Sequence, residues 1–306
     1  MGSKSYNVMA VNGVSFELDS GETLGIVGES GAGKSTIGRA LLKLVEASSG
    51  TILLEGEEVG KKKRQILNFR RDMQAIFQDP YSSLNPSMVV ADIIGEPLKV
   101  HFKMKERERK ERVAILMEQV GLSPHQMQRY PSEFSGGQRQ RIAVATALAL
   151  NPKIIICDEA VSSLDVSTQS QVINLLEELQ DRLEIALIFI AHDLAVVRHI
   201  SDRIAVLYLG QLMEIGPSDR ICDEPAHPYT KMLLASVPVT DPVEQKKRKK
   251  IRQQMPVAEL PGPNSIPIGC PFSTRCPDVM KKCHANKPVA VEVPGGGQVS
   301  CHLYND

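Results

Sequence analysis

The feature that most constrains this chain is a glycine-rich loop between a short apolar run and a helix-like segment. The apolar run covers residues 24–27, the loop covers 28–36 with the sequence GESGAGKST, and the helical pattern covers 37–44. Strand, loop and helix in this order are the context in which G-x-x-x-x-G-K-[ST] forms a phosphate cradle. Glycines at 28, 31 and 33 let successive backbone N–H groups converge on an anion, and the helix dipole strengthens the attraction.

The side chains of this loop predict a nucleotide site. Lys34 would reach the outer phosphates, and the hydroxyl of Ser35 would be a ligand of Mg²⁺. A glycine turn that binds nothing is the alternative, and the rest of the chain has to decide against it. The loop residues predicted to bind the nucleotide are Gly28, Ser30, Gly31, Ala32, Gly33, Lys34, Ser35 and Thr36.

Charge and hydropathy exclude several classes of protein. Lysine plus arginine equals aspartate plus glutamate, at 36 each, so the charge balance gives no indication of a nucleic-acid partner. The longest apolar runs are far too short to span a membrane. The first five residues, MGSKS, lack the apolar core of a secretory signal. We therefore expect a cytosolic chain, held at a membrane at most by its partners.

Short apolar strands alternate with helical patterns, which predicts an α/β fold with a mostly parallel sheet. Helical patterns dominate residues 86–150, so we expect a helical insertion there. We expect a nucleotide-binding domain in 1–230 and, because prolines recur after it, an irregular C-terminal extension in 231–306. The charged stretch 244–252 is either a short helix or a solvated loop. The predicted strands are 14–18, 50–54, 73–77, 154–157, 186–190 and 204–209.

Several polar residues follow predicted strands, where ligands bind in parallel α/β sheets. Asp158 would complete the Mg²⁺ shell, and Glu159 would polarise an attacking water as general base. Gln78 is placed to touch both metal and water. His192 would hydrogen-bond the terminal phosphate, although a capping or packing role is the more common one for such a histidine.

A second anion site is predicted where Ser135, Gly136, Gly137 and Gln138 open a helix. A single ATP cannot easily use both helix ends of one subunit, because they belong to different parts of the fold. Two subunits arranged head to tail would each supply one of them.

With these motifs the chain resembles the ATP-binding subunit of ABC transporters over nearly all of its length. The order matches: phosphate loop, Gln78, signature 135–138, acidic pair 158–159, the loop 163–165 and His192. The resemblance implies a P-loop NTPase (RecA-like) core with an antiparallel β-subdomain. It also implies two such subunits that clamp two ATP molecules, with Ser135, Gly137 and Gln138 acting on the partner's ATP and Asp165 at the dimer seam.

Further segments are similar to the oligopeptide/dipeptide branch of the importers, which includes nickel importers. That branch works at the cytoplasmic face of the cell membrane with a sister ATPase, two permease subunits and an extracytoplasmic binding protein. The segments are 77–86, 130–138, His227-Pro228-Tyr229-Thr230 and the cysteine tail.

The chain departs from the family pattern at three places. Ala160 stands where a proline is usual, and Thr146 where an arginine is usual. Only Tyr6 is available to stack on adenine, one position away from the usual spacing. None of these departures removes a group that contacts phosphate.

The last 37 residues hold four cysteines, Cys270, Cys276, Cys283 and Cys301. Four thiolates suit either a [4Fe–4S] cluster or Zn²⁺. The spacing lacks the C-x₂-C pairs common in zinc sites, and similar tails in the peptide-importer branch carry a [4Fe–4S] cluster. We therefore predict the cluster ahead of zinc, with free thiols as a third alternative.

Three functions are compared at this stage. The first is an ATPase that energises import of peptides or a related solute. The second is a soluble ABC-type ATPase not coupled to transport, which usually carries two cassettes or long coiled-coil insertions that this sequence lacks. The third is a metal-binding regulator with a structural nucleotide site, against which Glu159 and His192 argue.

Overall fold

The computed structural model describes residues 9–60, 62–78, 83–238, 241–254, 256, 261–262 and 266–305. Tyr6, predicted to stack on adenine, lies outside these residues. Contacts divide the chain into two compact units. The loop unit contains Met1–Glu17, Thr23–Ile37 and Ala191–Asp306, and the helical unit contains Leu18–Glu22 and Gly38–Ile190.

The described helices and strands follow one another as an α/β chain. In order they are β1 (Thr23–Val27), α1 (Lys34–Leu41), β2 (Leu53–Leu54), β3 (Glu57–Glu58), α2 (Lys63–Asp72), β4 (Met73–Ile76), α3 (Val90–Phe102), α4 (Glu106–Gln119), α5 (Gly136–Leu148), β5 (Ile154–Asp158), α6 (Val166–Leu183), β6 (Ala186–Ile190), α7 (Leu194–Ile200), β7 (Arg203–Tyr208), β8 (Gln211–Pro217), α8 (Ser218–Asp223), α9 (Pro228–Ser236), α10 (Pro242–Gln254), α11 (Lys281–Ala285), β9 (Ala290–Glu292) and β10 (Gln298–Ser300).

The helical unit combines parallel strands with the predicted helical insertion. β4 pairs with β5 and β5 with β6, all parallel, so their carboxyl ends lie at one edge. The helices α3, α4 and α5 fall within 86–150, as predicted. Val113, Leu116 and Met117 of α4 are fully buried, as is Val120 directly after it. β2 and β3 form a separate two-stranded antiparallel sheet.

The loop unit holds the glycine loop and the C-terminal extension together. β1 is buried throughout and pairs in parallel with β7, and β8 runs antiparallel to β7. β10 then pairs with both β8 and β9, again antiparallel. A strand of the extension therefore continues the sheet that carries the glycine loop.

Two predicted features are wrong. Residues 14–18 alternate between half-buried and exposed, as a strand would, but they form no strand, because no described strand pairs with them. The extension is not irregular throughout, since it contains α10, α11 and the β9–β10 hairpin. That hairpin turns at Gly295, Gly296 and Gly297, whose φ angles of 79°, 90° and 91° are accessible to glycine.

Among the described residues, no helix is long and apolar enough to cross a bilayer.

Candidate functional site

The glycine loop joins β1 to α1 in a conformation that needs glycine. Gly33 has φ +96°, and a Cβ atom there would lie 2.3 Å from the carbonyl oxygen of Ala10. Two backbone hydrogen bonds hold the loop: Ala32 N–H donates to the Glu29 carbonyl at 3.1 Å, and Gly210 N–H donates to the Ala32 carbonyl at 2.9 Å. The second bond attaches the loop to the turn between β7 and β8.

Lys34 lies at the first position of α1 with its side chain folded over the loop. It is 6% exposed, and its ammonium donates to the carbonyls of Gly28 at 2.8 Å and Glu29 at 3.1 Å. The Lys34 ammonium thus donates to two neutral carbonyl oxygens. Charged phosphate oxygens would be stronger acceptors for it. Ser35 is the next residue of the helix and is half-buried.

Glu29 forms hydrogen bonds through its N–H, its carbonyl and its carboxylate. Its N–H donates to the hydroxyl of Tyr229 at 2.9 Å, and its carbonyl accepts from Lys34. Its carboxylate accepts two hydrogen bonds from the Arg275 guanidinium, at 2.7 and 3.0 Å. Neither Glu29 nor Arg275 is among the predicted site residues, because the two are 246 residues apart and no local pattern connects them.

A buried polar network holds Tyr229 against the loop. Tyr229 N–H donates to Nδ1 of His227 at 2.9 Å, at the start of α9. The carboxylate of Glu214 on β8 accepts from the N–H groups of Ala226 and His227, each at 2.9 Å. Arg220 pairs with the same carboxylate, and both side chains are buried. Through Tyr229, the His-Pro-Tyr-Thr motif therefore supports the phosphate loop.

Aromatic packing attaches the cysteine-containing segment to the same place. Phe272 is fully buried, with ring centroids 5.4 Å from Tyr208 and 5.3 Å from Tyr229. The Arg275 guanidinium lies 6.0 Å from the ring centroids of both Tyr208 and Phe272. The pKa of Arg275 is raised, chiefly by its hydrogen bonds to Glu29.

In the helical unit, β5 delivers the two predicted acids. Asp158 is the last residue of the strand and is 8% exposed. Glu159 follows with φ 51°, a left-handed conformation that is uncommon for a residue with a side chain and often found at functional sites. The amide of Gln78 donates to the Glu159 carboxylate at 2.6 Å, so these two predicted site residues lie together.

The serine–glycine segment opens α5 as predicted. Ser135 is the N-cap: its hydroxyl accepts from Gln138 N–H at 3.3 Å, while Ser135 N–H donates to the Gln138 side chain at 3.0 Å. A Cβ atom on Gly137 would lie 2.3 Å from the methyl group of Thr168. Thr168 is itself held by Asp165, the N-cap of α6, through bonds of 3.0 and 2.7 Å. The signature helix and α6 therefore start side by side.

Comparison with known proteins decides the family. The family described as "ABC transporter" matches residues 11–162, and "Oligopeptide/dipeptide transporter, C-terminal region" matches residues 213–283. The oligopeptide transport ATP-binding protein OppF of Escherichia coli K12 is 52% identical over 92% of this chain and 84% of its own length. The chain belongs to the ATP-binding subunits of ABC transporters, in the oligopeptide/dipeptide branch.

A further relative and a solved structure support the same family assignment. The oligopeptide transport ATP-binding protein AppF of Bacillus subtilis 168 is 50% identical over 98% of this chain and 91% of its own length. A dimeric post-hydrolysis structure of the ATP-binding cassette MJ0796, bound to ADP and Pi, is 28% identical with a TM-score of 0.62. It covers 68% of this chain and 90% of its own. The predicted ABC ATPase fold and the prediction of a transport ATPase are thus confirmed.

The remaining predicted residues of this ABC ATPase have definite positions. His192 is exposed, and the capping of α7 is done by its neighbour Asp193, whose carboxylate accepts from Ala195 N–H at 2.8 Å. His192 therefore has no capping role. Of the two departures that the structure describes, Ala160 is buried, and Thr146 donates to the Ile142 carbonyl at 2.8 Å within α5.

The donor chemistry of the predicted Mg²⁺ ligands fits that ion. Ser35, Gln78 and Asp158 offer a hydroxyl, an amide and a carboxylate, and Mg²⁺ prefers oxygen ligands. The bond from Gln78 to Glu159 uses the amide nitrogen, so it does not occupy the amide oxygen.

The four tail cysteines are buried in the loop unit as free thiols. Burial raises the pKa of Cys270 to about 11 and that of Cys276 to about 12. Within the described ranges, no three His, Cys, Asp or Glu side chains form a group that could hold a metal ion. This arrangement therefore does not support the predicted [4Fe–4S] cluster or its zinc alternative.

Proposed function

We propose that this ABC ATPase energises uptake of dipeptides, oligopeptides or a related solute through membrane permease partners. The observation that carries the proposal is the match of residues 213–283 to the C-terminal region of oligopeptide/dipeptide transporters. The phosphate loop is common to many nucleotide-binding proteins, whereas this region is described by the name of the oligopeptide/dipeptide transporters. The proposal is also supported by relatives named as oligopeptide transport ATP-binding proteins, which are 50–52% identical to this chain.

In the proposed site, the loop binds the β- and γ-phosphates of ATP. The backbone N–H groups of residues 28–36 surround the phosphates, and Lys34 exchanges its two loop carbonyls for phosphate oxygens. Ser35, Gln78 and Asp158 would hold Mg²⁺, which would neutralise charge that develops on the phosphates. Tyr6 is proposed to stack on the adenine.

Hydrolysis is assigned to Glu159 and His192. The Glu159 carboxylate accepts a proton from water as the water oxygen bonds to the γ-phosphorus, and the bond to the β-phosphate oxygen breaks to leave ADP. His192 donates a hydrogen bond to the γ-phosphate. Gln78 holds Glu159 at 2.6 Å and orients the carboxylate toward the water.

The second ATPase subunit would complete the site. Ser135, Gly137 and Gln138 are proposed to bind the γ-phosphate of ATP held by a sister or identical subunit arranged head to tail, with Asp165 at the seam. In that contact, phosphate would replace the bond between Ser135 and Gln138 N–H. Two permease subunits would place the complex at the cytoplasmic face of the membrane, with an extracytoplasmic binding protein delivering the solute.

The domain organisation proposed for this complex divides the chain into an ATPase domain, 1–230, and an extension, 231–306. The competing function is an ABC-type ATPase without transport.

Co-purification and transport assays separate the two functions. A tagged copy of this chain, expressed with the permease genes beside it, should pull down two hydrophobic subunits, and ATP hydrolysis in the reconstituted complex should rise with binding protein and peptide. The Lys34→Ala variant, which should assemble without hydrolysis, is the matched control. Hydrolysis that never responds to permeases or peptide would favour the competing function.

The tail carries a second, separate proposal. All four tail cysteines are buried within one segment, and Cys270 N–H donates to the Cys283 carbonyl at 2.8 Å. We propose a [4Fe–4S] cluster, or Zn²⁺ in its place, bound after the thiols rearrange and lose their protons. Iron, sulfide and zinc analysis of anaerobically purified protein, with Cys276→Ser as control, tests this. Protein free of both metals contradicts it.

A further inference from the structure

We infer that Arg275 is a positioning residue for ATP binding, and that it acts by neutralising and holding Glu29 inside the phosphate loop. The inference rests on the proposed ATP site and concerns a residue of the C-terminal extension. The observation that supports it is the pair of hydrogen bonds from the Arg275 guanidinium to the Glu29 carboxylate, at 2.7 and 3.0 Å.

A carboxylate in the phosphate loop opposes the binding of a negatively charged triphosphate. Glu29 follows the first glycine of the motif, and its carbonyl lies 3.1 Å from the Lys34 ammonium. The loop that would bind the triphosphate therefore carries a negatively charged side chain of its own. Like charges repel, and the repulsion is strong where the surroundings exclude water. The charge needs a partner if the loop is to bind ATP well.

Arg275 provides that partner in a fixed geometry. The side chains of Arg275 and Glu29 are only 15% and 23% exposed, so solvent screens the pair incompletely. A guanidinium that binds a carboxylate through two parallel bonds controls orientation as well as charge, which lysine cannot reproduce. The neighbouring rings of Tyr208 and Phe272 restrict the guanidinium further.

The position of Arg275 couples the cysteine segment to the nucleotide site. Arg275 lies between Cys270 and Cys276, and the fully buried Phe272 attaches the same stretch to Tyr229, whose hydroxyl accepts from Glu29 N–H. The segment therefore contacts Glu29 directly through Arg275 and indirectly through Tyr229. Any change that moves residues 270–276 would alter the charge next to the phosphates.

A rescue experiment tests the inference. ATP affinity is measured for full-length protein by titration calorimetry with Mg²⁺, with hydrolysis and thermal unfolding recorded for each variant. We expect Arg275→Ala to weaken ATP binding about tenfold, because it leaves the Glu29 charge unpaired. Arg275→Lys should lose about threefold, since it keeps the charge but not the two-bond geometry. Adding Glu29→Gln to Arg275→Ala should restore affinity to within about twofold of the wild type, because no charge is then left to neutralise.

The controls separate this electrostatic role from simple support of the fold. Arg198→Ala removes another arginine bound twice to a carboxylate, that of Asp223 at 2.8 Å for both bonds, and should leave ATP affinity unchanged. Should Arg275→Ala fail to fold, Arg275→Gln replaces it in the same rescue. Wild-type affinity in the Arg275 variant, or no rescue by Glu29→Gln, overturns the inference. A wild-type protein that does not bind ATP at all contradicts the proposed function instead.

Discussion

Gln78 and Glu159 are joined by a side-chain hydrogen bond of 2.6 Å across 81 residues of sequence. One residue follows β4 and the other follows β5, and these strands pair in parallel. Parallel pairing brings both residues to the same edge of the sheet, so the distance is a direct product of topology. The amide orients a carboxylate whose backbone is already in a left-handed conformation.

Replacing Glu159 by glutamine should abolish turnover while preserving ATP binding. The amide cannot accept the proton of the attacking water, so we expect kcat to fall by about 10²- to 10⁴-fold, with little change in ATP affinity. The variant should accumulate as an ATP-bound dimer in size-exclusion chromatography. Glu178→Gln, on the exposed surface of α6, is the matched control and should behave as wild type. Unchanged turnover in Glu159→Gln would rule out its role as general base.

A methyl group at Gly137 should destabilise the protein, whereas one at Gly136 should not. The added Cβ would lie 2.3 Å from the Thr168 methyl in the first case, but 3.4 Å from Leu164 in the second. We expect Gly137→Ala to lower the free energy of unfolding by about 1–3 kcal/mol, measured by chemical denaturation.

Thr168→Ser supplies the test of that clash. It removes the methyl group and retains the hydroxyl that donates to Asp165 at 2.7 Å. The double variant Gly137→Ala, Thr168→Ser should recover most of the lost stability. Equal stability of the Gly136 and Gly137 variants would contradict the contact between α5 and the start of α6.

Truncating Glu214 should be far more costly than breaking an exposed ion pair. Glu214→Ala leaves the buried Arg220 guanidinium and two N–H groups without their carboxylate, so we expect a loss of about 3–5 kcal/mol in the free energy of unfolding. Arg198→Ala breaks pairs whose arginine is 44% exposed and should cost less than about 1 kcal/mol. Chemical denaturation of both variants checks the contrast, and similar losses would be the opposing result.

Acid should destabilise the protein partly through His227. Burial lowers the pKa of this imidazole from 6.5 to about 3, so the unfolded chain takes up a proton at a higher pH than the folded one. The full stability is present above about pH 6.5. It is then lost as pH falls toward 3, at up to about 1.4 kcal/mol per pH unit from this group.

The matched variant for this effect is His227→Asn, whose side-chain oxygen can still accept from Tyr229 N–H at the start of α9. Unfolding free energies at pH 7.5 and 5.5 should fall less in the variant than in the wild type. An identical fall in both proteins would show that His227 does not titrate in this range.

Much of the fold and of the candidate site could be predicted from local pattern. β4, β5, β6 and β7 lie within a residue or two of their predicted limits, because buried parallel strands are short apolar runs bounded by polar residues. The loop between β1 and α1 and the serine–glycine start of α5 could also be predicted, since both depend on glycine and capping residues that are close together in sequence. Residues 14–18 show the limit: their alternation predicts extended chain, but a strand also needs a partner, and pattern cannot supply one.

The C-terminal extension shows what only the tertiary structure decided. Prolines and cysteines predicted an irregular segment, yet β10 continues the sheet of the loop unit, Phe272 packs against Tyr229, and Arg275 binds Glu29 of the phosphate loop. No local pattern connects Glu29 with Arg275, because their meeting depends on how β8, α9 and the tail fold back. The sequence by itself determined the nucleotide chemistry, since a few adjacent residues carry it. The tertiary structure decided which distant charge pairs with Glu29 of the phosphate loop, because such pairs exist only after the chain has packed.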